Sequence, residues 1–309
     1  MKLSYLLLFL FVITITACED DDDIIDVITG NEPVNVTGLT YAENEDDALP
    51  TIYNDIVADL NAAGPISVVA QVDHEANARN NGLTLRPTRV VMFGNPTLGT
   101  PLMVQNMQAG LDLPQKILVY QASDDDVIVA YNSTRYLASR HGLTDDGELT
   151  MIGNALQMFV ENNTGESVQN SSDVEVEAGE GIVEVTYDRP IDDVYNGIKG
   201  AIESNANLTL VAELDHQANA ARVGLTLNPS RLLVFGNPNL GTPLMQDEQT
   251  VAIDLPQKIL VYQDDANVTH VIYNDPAFLK DRHDLGDDVD EQLTMITNAL
   301  ANLAAAGGN

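Results

Sequence analysis

One cysteine stands among 309 residues, so this chain cannot close an internal disulfide. Basic residues are also scarce: 14 Lys and Arg face 47 Asp and Glu, a formal net charge of -33. Nucleic acid is excluded as a partner, because neutralising phosphates needs Lys and Arg clusters that are missing. Docking by charge onto anionic lipid is disfavoured for the same reason. The acidity favours solubility and repulsion from similar surfaces. It does not make a calcium site, since no D-x-[DN]-x-[DN]-G loop ending in Glu occurs. Zinc lacks H-x-x-x-H and C-x-x-C spacing, so no metal is assigned. There is no G-x-S-x-G elbow, P-loop lysine or G-x-G-x-x-G. Past the N-terminus, no apolar run approaches the roughly 18 residues of a membrane span.

What is present begins with a leader. Lys2 precedes an apolar run over 3–15 that is short for a membrane span. Ile15-Thr16-Ala17-Cys18 fits a lipobox, an aliphatic residue and two small ones before a cysteine. Residues 1–18 therefore read as a lipoprotein signal peptide with Cys18 as the lipidation site. The alternative is an uncleaved anchor with an incidental cysteine. Glu19 and Asp20 to Asp23 follow, resembling surface-export signals of some bacterial lipoproteins and opening an acidic tether over 19–33. The expectation is an exported chain, lipid-anchored at the outer membrane or cell surface.

The rest of the chain repeats itself. Phe93-Gly94-Asn95-Pro96-Thr97-Leu98-Gly99-Thr100-Pro101-Leu102-Met103 returns as Phe235-Gly236-Asn237-Pro238-Asn239-Leu240-Gly241-Thr242-Pro243-Leu244-Met245. The same register aligns His74 with His216, an interval of 142 positions. That is far longer than the roughly 20–50 residues of a solenoid repeat and matches an ordinary domain. With 44% hydrophobic residues, each copy can bury a core. The first copy is placed at 34–160, a polar linker at 161–172 and the second copy at 173–309.

In the second copy, alternation over 174–187 around Gly179 and Gly181 predicts a hairpin. Val194, Ile198 and Ile202 lie on one face of a helix opened by Asp188-Arg189-Pro190. Strands follow at 208–214, 232–235, 257–262 and 269–273, and Thr242-Pro243 reads as a helix N-cap with proline at the first helical position. Helices at 276–279 and 291–303 close the copy. Blocks of strands flanked by helices point to an antiparallel α+β sheet.

The recurring His, Asn-Ala, Gly-Leu, Pro, Phe-Gly-Asn-Pro, Gly-Thr-Pro-Leu-Met, Asp-Leu-Pro-x-Lys, Tyr-Asn and Arg-His pattern resembles the domain-of-unknown-function 302 family. Its elements run from His74 and Asn77-Ala78 through Asp112-Leu113-Pro114-Gln115-Lys116 and Tyr131-Asn132 to Arg140-His141. They return from His216 and Asn219-Ala220 to Arg282-His283. The resemblance implies an α+β fold of the TATA-binding-protein-like type, a curved antiparallel sheet packed on helices, in two tandem copies. It implies no activity. Copy one departs with Asn132-Ser133-Thr134 where the family usually has Asn-Asp-Pro, kept as Asn274-Asp275-Pro276 in copy two. Copy two has Ala252-Ile253-Asp254 in place of the more typical Gly110-Leu111-Asp112.

Two groups of residues carry the functional candidates. Gly94, Asn95, Gly99 and Thr100, with Gly236, Asn237, Gly241 and Thr242, form a strand-to-helix junction. Free backbone N–H groups there can hold a carboxylate or phosphate; the plainer reading is a turn with a capping threonine. His74 and His216 follow Asp73 and Asp215 at strand ends, with Asn77 and Asn219 one helical turn on. Such a histidine can act as base, proton donor or ligand, or simply pin a loop. His141 and His283 read as helix C-terminal caps. Three functions remain open. One is a non-enzymatic binding module whose two copies form an intramolecular pseudo-dimer around a small anionic ligand or an envelope protein. Another is an envelope enzyme using His74 or His216 with the loop for acid–base chemistry on a small anion. The last is a purely structural lipoprotein. No cofactor is assigned, and each loop is expected beside the histidine of its own copy.

Overall fold

The computed structural model describes residues 33–144 and 147–309. The leader, Cys18 and the tether up to residue 32 lie outside the described residues. Copy one runs β1 (Leu39–Asn44), α1 (Leu49–Ala62), β2 (Ser67–Asp73), α2 (His74–Asn80), β3 (Thr88–Gly94) and α3 (Pro96–Gln105). A 3₁₀ turn (Met107–Leu111), β4 (Gln115–Gln121), β5 (Val127–Asn132), α4 (Thr134–His141), α5 (Glu148–Thr164) and the short β6 (Gln169–Asn170) follow. Copy two repeats the plan with β7 (Ile182–Tyr187), α6 (Ile191–Glu203), β8 (Thr209–Asp215), α7 (His216–Arg222), β9 (Ser230–Gly236) and α8 (Pro238–Asp247). It ends with a 3₁₀ turn (Gln249–Ile253), β10 (Gln257–Gln263), β11 (Thr269–Asn274), α9 (Pro276–Arg282) and α10 (Asp290–Ala306).

The sheets are ordered β2-β3-β4-β5-β1-β6 and β7-β11-β10-β9-β8, and every paired register is antiparallel. The chain is thus α+β, two tandem antiparallel sheets with helices. Helix α1 forms because Leu49, Ile52, Tyr53, Ile56 and Leu60 recur at three- and four-residue spacing and all are buried, with Pro50 in the first turn. Helix α6 buries Ile191, Val194, Tyr195, Ile198 and Ile202 in the same pattern.

The central strands are apolar without alternation because both faces of each sheet are covered. In copy one, Val91, Phe93, Ile117, Val119 and Val129 pack with α1 and α5. Their neighbours Val90, Met92, Leu118, Tyr120 and Ile128 point the other way, into a cluster that includes Val251, Ala252 and Ile253 of copy two. The 3₁₀ turn of each copy lies on the sheet of the other: Met107–Leu111 against β9, β10 and β11, and Gln249–Ile253 against β3, β4 and β5. A Cβ on Gly110 would come within 3.2 Å of both Leu260 methyls, which marks how closely that turn approaches. The described residues therefore form one compact unit.

Three local readings differ from the sequence expectation. Thr242-Pro243 is not a helix start. Helix α8 begins at Pro238 with Asn237 as N-cap, and α3 begins at Pro96 with Asn95 as N-cap, placing both threonines inside their helices. The proline that fits the first position is the one after asparagine, where its missing N–H is not needed. The 174–187 hairpin is a single strand, β7; its upstream arm is irregular, and Gly179 N–H donates to the Arg140 carbonyl of copy one. The polar stretch 161–172 is not loose: it completes α5 and then adds β6 to the free edge of β1, pairing Thr40 with Asn170.

Candidate functional site

The Gly-Asn-Pro junction is built by its asparagine. Asn95 Oδ1 accepts from Thr97 N–H at 3.0 Å, and its carbonyl accepts from Leu98 and Gly99 N–H. Asn237 does the same for Asn239, Leu240 and Gly241. Pro96 and Pro238 have no N–H. The first-turn donors of each helix are therefore taken or absent, so those turns offer no free N–H to an anion.

Asp73 and Asp215 are likewise committed. Asp73 Oδ1 accepts from Ala76 N–H and Asp215 Oδ1 from Ala218 N–H, both at 2.8 Å, capping α2 and α7. Asp73 also pairs with Arg89 at 3.2 Å. Their histidines are the first residues of those helices and are buried, at 6% and 5% exposure. Neither ring Nε2 has a hydrogen-bond partner.

Strand register decides which loop each histidine meets. In the β2–β3 pair, Asp73 lies opposite Arg89 while Gly94 lies opposite Ser67. His74 and its own junction thus sit at opposite ends of a seven-residue strand pair, about 20 Å apart. The second copy fills the space beside His74 instead, because α2 packs on α8 and α7 packs on α3. The expectation that each loop serves its own histidine is corrected: the pairing crosses between copies.

A pocket of about 120 Å³ opens at the first of these contacts. His74 and Asn77 of copy one form one wall; Gly236, Asn237, Gly241 and Thr242 of copy two form another. The remainder is largely apolar, with Val72, Phe235, Met245, Leu255 and Leu300 among the lining residues. No charged side chain lines it. Three polar atoms of its lining residues are buried without partners: His74 Nε2, Thr242 Oγ1 and Gln257 Nε2. Unpaired buried polar atoms are uncommon in native folds. In the other half, α3 with Gly94, Asn95, Gly99 and Thr100 at its start lies against α7 with His216 and Asn219. There the equivalent atoms, His216 Nε2 and Thr100 Oγ1, are also unpartnered.

Burial, with Lys116 as a second cause, pulls the His74 pKa down to about 3. Burial pulls His216 down to about 4, partly offset by a hydrogen bond to the Gly110 backbone. Both rings are neutral at pH 7. A base this weak does little proton abstraction near neutrality, but a neutral imidazole nitrogen is an effective hydrogen-bonding group.

The Arg-His and Asp-Leu-Pro-x-Lys motifs have a different role. Asp112 accepts from Arg140 at 2.7 Å, His141 Nε2 at 2.8 Å and Lys258 of copy two at 3.1 Å. Asp254 accepts from Arg282 at 2.7 Å and His283 at 2.8 Å. Arg140 continues to the Asn274 side chain and the Gly181 carbonyl, while Arg282 reaches Asn132 and the Thr37 carbonyl. Lys116 donates to the Leu255 carbonyl at 2.9 Å. Burial alone would raise the Asp112 pKa; Arg140 and Lys258 outweigh it and hold the carboxyl well below the usual range. His141 and His283 are therefore members of a buried inter-copy ion network, not helix caps. The departure in copy one is harmless to it, because Ser133 caps α4 as Asp275 caps α9.

Sequence reasoning missed Gln257, the variable position of Asp-Leu-Pro-x-Lys, although glutamine stands there in both copies. It also missed the network, whose signal was two acid–lysine and Arg-His motifs repeated within otherwise apolar strands and helices.

Among known proteins, a 79-residue stretch is 43% identical to fluoride-specific ion channel FluC 1 of Brucella suis biovar 1 (strain 1330), covering 26% of this chain and 31% of that one. FluC 2 of Brucella melitensis biotype 1 matches at 43% over 79 residues, 29% of its length. The chain thus spans less than a third of these curated relatives. Among the described residues, no helix is long and apolar enough to cross a membrane. A crystal structure of an uncharacterized conserved DUF302 protein from Bacillus stearothermophilus aligns at 16% identity and a TM-score of 0.37, covering 41% of this chain and 98% of that one. The family model for domain of unknown function DUF302 matches residues 46–162 and 183–303, taking in both histidine helices, both glycine junctions and both ion motifs. With most of its length so matched, the chain belongs to the DUF302 family, as a tandem pair.

Proposed function

We propose that this protein is a non-enzymatic binding module, exported and lipid-anchored through Cys18, that holds a small, largely apolar molecule between its two copies. The carrying observation is the pocket of about 120 Å³ at the α2–α8 contact, with its uncharged and largely apolar lining. A cavity near this size in another protein takes up benzene. The low basicity of His74 favours binding over the acid–base alternative, since a general base works best with a pKa near the working pH. The occupied N–H groups at the helix starts, with an uncharged lining, favour a neutral ligand over the anion expected from sequence.

Benzene is the simplest probe. Titrated into the ¹³C-methyl-methionine protein, it is expected to shift the Met245 methyl resonance saturably, with the copy-one Met103 as internal reference. An unmoved Met245 signal at saturating benzene would overturn the binding reading. The anchor is tested separately: Cys18→Ala is expected to abolish incorporation of labelled fatty acid and release the protein from the membrane fraction. Retained labelling would remove the lipoprotein reading.

A further inference from the structure

We infer that the outer edge of β7 is a docking surface for an extended segment of another protein, one that alternates basic and apolar residues and adds to the sheet of copy two as a further strand.

Strand β7 stands at the end of its sheet, and among the described residues no strand pairs its outer side. The equivalent edge in copy one is covered. There β6 lies antiparallel along β1, Ser171 N–H donates to the Leu39 carbonyl at 2.9 Å, and Thr40 Oγ1 donates to Asn170 Oδ1 at 3.1 Å. Leu39 therefore turns its backbone groups outward, and by alternation so do Tyr41 and Glu43. Leu39 pairs with Asn132 as Ile182 pairs with Asn274, so Ile182, Glu184 and Thr186 are the outward residues of β7. The local bonds match as well: Leu39 N–H donates to the Val36 carbonyl, and Ile182 N–H to the Gly179 carbonyl. The backbone groups of Glu184 and Thr186 thus form an open ladder. Exposed edges are commonly blunted by lysine, proline or a bulge. Strand β7 has none of the three, and its register with β11 is unbroken.

The two faces of this edge set the alternation. Glu184 shares a face with His270, whose Nδ1 meets Glu184 Oε1 at 2.6 Å, and with Tyr262. Val183, Val185 and Tyr187 point to the opposite face, where Tyr187 OH donates to the Ala304 carbonyl of α10. Both valines are only half-buried. A strand added here places apolar side chains beside Val183 and Val185 and polar ones beside Glu184 and Thr186. Charge sets the polar ones. Residues 173–188 hold six acids, all exposed, and no Lys or Arg. Arg135 meets one of them, Glu175, and Arg189 is turned to the carbonyls of Gly307 and Asn309. A second copy of β7 would bring these acids against themselves, and like charges across a strand pair destabilise it. A basic strand meets opposite charge instead.

The test uses the full chain and the end-blocked peptide Lys-Val-Lys-Val-Lys, with Glu-Val-Glu-Val-Glu and the non-alternating Lys-Lys-Lys-Val-Val as controls. Amide hydrogen exchange is read by nuclear magnetic resonance at Glu184 and Thr186. Both amides are expected to exchange fast in the free protein and to slow about tenfold when the alternating basic peptide binds. The two control peptides are expected to leave them unchanged. Thr186→Pro deletes one outward N–H at a position that an edge strand tolerates, and is expected to weaken binding about tenfold. If that variant does not fold, Glu184→Gln, expected to weaken binding about threefold, decides the same point. Slow exchange at both amides before any peptide is added would mean that this chain or a second copy already covers the edge, and would overturn the inference. Binding that leaves both amides unprotected would also overturn it, as attraction to an acidic surface alone. Equal protection by the acidic peptide would refute the choice of a basic partner. No binding by the alternating basic peptide would refute the docking surface itself.

Discussion

Replacing Asp112 with alanine should destabilise both copies at once. The carboxylate accepts from Arg140, His141 and Lys258, and the side chains of Asp112, Arg140 and Lys258 are almost wholly buried. Its removal leaves the Arg140 guanidinium with only carbonyl and amide oxygens, from Glu180, Gly181 and Asn274, and takes away the carboxylate that Lys258 meets. Breaking a buried pair from one side costs about 3–5 kcal/mol. That is a large share of the roughly 5–15 kcal/mol that holds a domain folded. Because Lys258 belongs to copy two and the apolar cluster spans both, the loss should not stay local. Urea unfolding followed by tyrosine fluorescence and far-ultraviolet circular dichroism measures it; the chain has 10 tyrosines and no tryptophan. The expected result is one transition by both probes, shifted by about 3–5 kcal/mol relative to the parent. A loss under about 1 kcal/mol, or two separate transitions with one copy still folded, would refute the reasoning.

Other outcomes follow from the same geometry. His74 and His216 have folded pKa values below their usual 6.5, so between pH 6.5 and about 4 the unfolded chain binds more protons. Stability should therefore fall as pH drops through that window, by up to about 1.4 kcal/mol per unit for each ring, and His74→Gln should flatten the slope in a pH series of urea melts. Phe159 meets Phe93 edge-on at 6.2 Å, whereas leucine, Leu303, stands at the matching position in copy two. Phe159→Leu should cost about 1–2 kcal/mol in the same urea melts by losing that edge-on contact, and an unchanged midpoint would contradict it. Expressed alone, residues 33–172 would expose Val90, Met92, Leu118, Tyr120 and Ile128, and should aggregate or self-associate in size-exclusion chromatography; a stable monomer would contradict the shared core.

Much of the fold was legible because repetition and periodicity carry it. The 142-residue interval set the two copies, and the apolar faces of α1 and α6 set their helices. The unbroken Leu232-Leu233-Val234-Phe235 run signalled a central strand, but not that its second face is covered by the other copy. The helix start was misplaced because Asn-Pro and Thr-Pro offer the same capping chemistry, and only the backbone shows that Asn237 takes it. The site was half legible: the right residue types were singled out and paired within the wrong copy. Antiparallel pairing of β2 with β3 separates a strand-end histidine from the next strand's exit loop. Gln257, a lining residue of the pocket, escaped notice because a lone glutamine carries no motif.

The most direct test of the central claim is a crystal of the full chain soaked with benzene. Difference density for one ring at the α2–α8 contact is predicted, among Val72, Phe235, Met245 and Leu300. A pocket holding ordered water alone at saturating benzene, or a ring bound away from this contact, would contradict the account.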